Sequence, residues 1–143
     1  MKRRILVALS GGILLIGFSI EPPLHAQTCN DDEAMVKSYV SALTDTVSAV
    51  QKESLSDFEK DFHQKTCMTK LGLSLDIVDG LLGCLDKAAK DTTITKEQAD
   101  AVNTKRQSYG KLKDKLTRDR SELKGAQDSK AAKALIEKFD LSG

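Results

Sequence analysis

The chain has 143 residues and carries 22 Lys and Arg against 21 Asp and Glu, a near-neutral balance that gives no electrostatic reason to expect nucleic acid as a partner. With no Trp and 4% aromatic residues it also lacks the stacking platform that binds single strands. Its length fits one domain, and the patterning described next excludes a β-rich one.

The N-terminal segment reads as an export signal. Lys2, Arg3 and Arg4 precede an uncharged apolar run over residues 5–20, Glu21-Pro22-Pro23 breaks it, and Ala26 puts a small residue just before Gln27. That order predicts a secretory signal peptide over residues 1–26, leaving a single helical domain over residues 27–143 in the periplasm or outside the cell. This run of sixteen residues falls short of the roughly 20 that span a bilayer, so membrane contact is expected only through an uncleaved signal. Cleavage leaves 19 basic and 20 acidic side chains. Residues 27–95 carry a net −5 and residues 96–143 a net +4, which predicts two segments with complementary surfaces.

The spacing of apolar residues predicts a first helix over residues 31–52, capped by Asn30, with Val36, Tyr39, Val40, Leu43, Val47 and Val50 on one stripe. Ser56-Asp57-Phe58-Glu59 reads as a capping box, so a break is expected at residues 53–55; the alternative is a first helix continuous to about Thr66, because Phe58 and Phe62 nearly continue its stripe. The next helix is expected to kink near residues 66–69, where its apolar phase changes. Over residues 71–89 two seams run side by side: Leu71, Leu75, Val78, Leu82 and Leu85, then Leu73, Ile77, Leu81, Cys84 and Ala88. An apolar surface that wide predicts neighbours on two sides, making this the central helix. Ile94-Thr95-Lys96-Glu97-Gln98-Ala99 is a capping box with a hydrophobic staple and opens a helix to residue 124, ended by Gly125. Val102, Tyr109, Leu116 and Leu123 repeat every seven residues along it, while Lys105 and Asp119 interrupt the companion positions. Asp128 or Ser129 caps a last short helix with Ala132, Leu135, Ile136 and Phe139 on one stripe, expected to fold back over the preceding helix. The chain is therefore expected to be all-α: a small antiparallel helical bundle of three long helices plus a short C-terminal helix.

Three cysteines in an exported chain predict one disulfide and one free thiol. A hairpin turning near residue 54 brings Cys29 to Cys84, the favoured pair. Cys67–Cys84 is the rival, and it requires a sharp break in the intervening helix because 17 helical positions span about 25 Å.

His63 and Cys67, four apart, are candidate metal ligands on one helix face, yet two ligands make no structural zinc site and the expectation is no metal. The chain shows no G-x-S-x-G elbow or glycine-rich phosphate loop, and His63 is its only histidine after cleavage, so no enzyme and no cofactor are expected. Arg106, Lys113 and Arg120 form a heptad-spaced row beside the apolar seam. Their heads are expected to meet acidic groups on the first two long helices, and the row is also the candidate interaction surface.

Ile94-Thr95-Lys96-Glu97-Gln98 resembles the L-T-x-x-Q motif of the Spy/CpxP family of exported, all-helical stress proteins and chaperones, with Ile in place of Leu. The resemblance implies an ATP-independent periplasmic chaperone, though the chain lacks the Met-rich, strongly basic character of that family. The reading from the residues themselves is a non-enzymatic exported protein that acts by binding another protein in the envelope or outside the cell. A carrier of a small apolar or metal ligand is the further alternative.

Overall fold

The computed structural model describes the backbone of residues 24–142 and the side chains of residues 29–142, so the apolar run over residues 5–20 lies outside the described residues. Among the described residues there are five helices and no strand. They are α1 (Leu24–Lys52), α2 (Leu55–Lys60), α3 (His63–Ala89), α4 (Lys96–Lys124) and α5 (Ser129–Ile136). None is long and apolar enough to cross a membrane.

Helix α1 begins at Leu24 rather than at residue 31, so Asn30 lies inside the helix instead of capping it. Nothing in Leu24-His25-Ala26-Gln27 breaks a helix, and the bond that Cys29 makes to α3 fixes the turn before Asn30. Val36, Leu43, Val47 and Val50 on its stripe are buried, while Tyr39 and Val40 are half-buried. Each such aliphatic side chain taken out of water contributes about 1.5–3 kcal/mol.

The break after Lys52 falls where expected, but Ser54, not Ser56, is the cap: its hydroxyl accepts from the Asp57 N–H at 3.1 Å and donates to the Asp57 carboxylate at 2.8 Å. Starting α2 there turns Phe58 into the core, where it is 1% exposed. The second change of direction comes at Phe62, ahead of the kink expected near residues 66–69. Phe62 has φ 54° and ψ 37°, the left-handed region, and α3 starts immediately after it. Cys67, Leu71, Val78 and Leu85 then share one phase and are all buried, so no further kink is needed.

Helix α3 is packed by α1 on one side and α4 on the other. Cys29 meets Cys84 while Thr46 meets Lys70, so α1 and α3 run in opposite senses. The first seam of α3 is buried apart from a half-exposed Leu82. The second buries Leu81 and Ala88 but lets Leu73 emerge to 46% exposure, so the covered surface is narrower than the pattern implied. Thr95 caps α4 by accepting from the Gln98 N–H, and the Gln98 side chain accepts from the Thr95 N–H at 2.8 Å. Asp128 caps α5. That short helix packs against α4 as expected, and also against α1, α2 and α3. With Ala132 and Ile136 fully buried, and Phe139 and Leu141 beyond it nearly so, α5 closes the end where α1 and α4 finish. Gln51 of α1 donates to the Glu137 carbonyl at 3.0 Å to hold it there.

Candidate functional site

Cys29 and Cys84 are bonded, with Cα atoms 5.6 Å apart, inside the usual range for a disulfide. The favoured pairing is the one formed. Cys67 is the free thiol and is fully buried, where burial pushes its pKa up to about 11 against the pull of Lys70, with Glu53 adding to the rise. It is a core residue held protonated at neutral pH.

The basic row of α4 faces α3 in a regular ladder. Arg106 binds Asp86 at 2.8 Å and Lys113 binds Asp79 at 2.7 Å. A further seven residues along each helix, Arg120 lies over Gly72, whose missing Cβ would stand 3.4 Å from the guanidinium. Hydrogen bonding to Asp79 holds the Lys113 pKa above its ordinary value. Two of the three cations are thus paired within the molecule, in half-exposed pairs that solvent and salt screen. As an interaction surface the row retains mainly Arg120.

Two carboxylates on the same bundle, Glu33 partly buried and Asp119 buried, behave oppositely. Glu33 of α1 accepts from Lys105 Nζ at 2.6 Å and from the Tyr109 hydroxyl at 2.7 Å, both on α4. Burial works against its charge, but these hydrogen bonds and the Lys105 and Lys37 charges outweigh it and lower the pKa. The same contact raises the Tyr109 pKa, through burial first and then the hydrogen bond to Glu33. Asp119, between Leu116 and Leu123 on α4, is 8% exposed and its Oδ2 has no hydrogen-bond partner. Burial raises its pKa, Lys115 and Arg118 oppose the rise, and Glu122 adds to it.

The corner joining α1, α2 and α3 collects the remaining chemistry. Phe62 is 71% exposed in its left-handed turn. Beside it a surface groove of about 350 Å³ is lined by Phe58, Glu59, Phe62, Lys65, Met68 and Ser129. On the same corner Glu53, Asp61 and His63 each place one donor atom within 4.8 Å of the others. His63 Nδ1 lies 3.0 Å from Glu53 Oε2, and the imidazole stands edge-on to Phe58 at 6.2 Å. Cys67, the companion expected for His63, is not a member of this group; two carboxylates take its place. Sequence spacing could not single these out, because Glu53 and His63 sit ten positions apart across two breaks in the helix.

Compared with protein-family models, with curated proteins and with solved structures, this chain finds no match. The I-T-x-x-Q segment acts here as an ordinary capping box.

Proposed function

We propose that this is an exported, non-enzymatic helical protein that acts by binding another protein, in the cell envelope or outside the cell, and that the Phe62 corner is the contact. The observation that carries the reading is Phe62 itself. A bulky aromatic residue in the left-handed region is a strained backbone, costing on the order of 1–3 kcal/mol, and here the strain holds the ring out in water beside an apolar-floored groove. A residue that neither fills the core nor relaxes its backbone has the properties of an anchor for a partner.

Export rests on the order of charges, apolar run and Ala26 at the N-terminus, with the Cys29–Cys84 disulfide consistent with an oxidising compartment. The groove has room for one or two side chains, which favours a defined partner over the broad surface that holding unfolded clients demands.

A photo-crosslinking amino acid in place of Phe62, expressed in the native cell, is expected to give a discrete adduct in the envelope or culture fluid. The same probe at exposed Asp100 should give none. Phe62→Ala is expected to abolish capture of the partner so identified while changing stability by no more than about 0.5 kcal/mol, as for an exposed side chain. Identical adduct patterns from the two probes, or an adduct-free Phe62 probe, would overturn the assignment.

A further inference from the structure

Glu53 follows the end of α1, Asp61 closes α2 and His63 opens α3, so the three helices that meet at the corner each contribute one donor. Their donor atoms fall within 4.8 Å of one another. Two ligands bound to one ion at about 2.1 Å lie roughly 3–3.4 Å apart, and His63 Nδ1 is 3.0 Å from Glu53 Oε2. Both atoms are shielded from solvent, and neither makes a hydrogen bond of acceptable geometry. Asp61 is exposed, leaving a route by which an ion can reach the other two. We infer that Glu53, Asp61 and His63 bind a divalent transition-metal ion of the Zn²⁺ or Mn²⁺ class.

The chemistry of the donors fits that class. Two carboxylates and a neutral imidazole carry two negative charges, which match a dication, and one nitrogen with two oxygens suits a first-row transition ion better than Ca²⁺, which takes an all-oxygen shell. Three protein ligands leave positions for water or for a side chain from elsewhere. An ion held here ties together both breaks of the corner and fixes the backbone on each side of Phe62. The inference stands apart from the partner reading, since it concerns the ion and is tested on the isolated protein.

The test is titration of chelator-stripped, disulfide-intact protein with Zn²⁺ and, separately, Mn²⁺ by calorimetry, with thermal unfolding measured alongside. One equivalent is expected to bind, with a Kd on the order of micromolar and a higher Tm, by mass action on the folded state. Glu53→Gln and His63→Ala are each expected to weaken binding by about 10- to 100-fold. Asp61→Asn serves as the variant at an exposed position should either of those fail to fold, and it should show the same loss. Cys67→Ser should bind as wild type. Co²⁺ should then give a weak nitrogen–oxygen ligand-field band and no thiolate charge-transfer band. The absence of saturable binding, or binding that Asp61→Asn and His63→Ala leave unchanged, would show that Glu53 and His63 form an ion pair and nothing more.

Discussion

Asp119 occupies a position that the heptad pattern of α4 assigns to an apolar side chain, with Leu116 and Leu123 buried on either side. Its carboxylate is poorly compensated there, and burial raises its pKa. An acid whose folded pKa lies above its unfolded one destabilises the fold once it is ionised, and the penalty disappears as pH falls through the folded value. Asp119→Leu is therefore expected to stabilise the protein by about 1–2 kcal/mol at pH 7, measured by urea unfolding, with the advantage shrinking in acid. An equal gain at pH 7 and pH 3 would mean that packing, not charge, is the cause. The residue was legible as an interruption of the seam; its burial was not, because sequence spacing cannot tell a core interruption from an edge one.

Between elements, a single acid joins two helices that α3 otherwise separates. Glu33 reaches from α1 to both Lys105 and Tyr109 of α4. Its lowered pKa means that its contribution is present above the ordinary glutamate value and is lost as pH falls through the folded one. Glu33→Gln is expected to cost about 1–2 kcal/mol at pH 7 and progressively less below about pH 4.5, followed by chemical denaturation across pH. A cost independent of pH would assign the effect to shape alone. Neither partner of Glu33 was foreseen, since contacts more than 70 positions apart leave no mark in local spacing. Local signals fared differently. The Thr95–Gln98 box and the Asp128 cap are each closed within three or four residues, and both helix starts were readable for that reason. The break at Phe62 was not, because nothing in its neighbourhood advertises a left-handed turn: glycine or asparagine would, and phenylalanine does not. The Glu53–Asp61–His63 group was hidden by the same turn that assembles it.

At the scale of the molecule, a broad apolar helix placed centrally in the chain was enough to make α3 the element on which α1 and α4 both pack, and the cysteine positions followed from the resulting hairpin. The bond from Cys29 to Cys84 spans a sequence separation of 55 and constrains most of α1, all of α2 and most of α3. Cys29→Ser with Cys84→Ser, or reduction of the wild type, is expected to cost about 4 kcal/mol by calorimetric or denaturant unfolding. A loss under 1 kcal/mol would show that packing alone holds the hairpin in the denatured ensemble as well.

That covalent loop also makes folding depend on the redox conditions around the polypeptide. Under reducing conditions the thiols stay apart and the chain forgoes this stabilisation. Once it meets an oxidant, closing one sulfur bridge makes the return to the unfolded state far less favourable. The same two cysteines that stiffen the oxidised protein therefore leave its reduced form pliable.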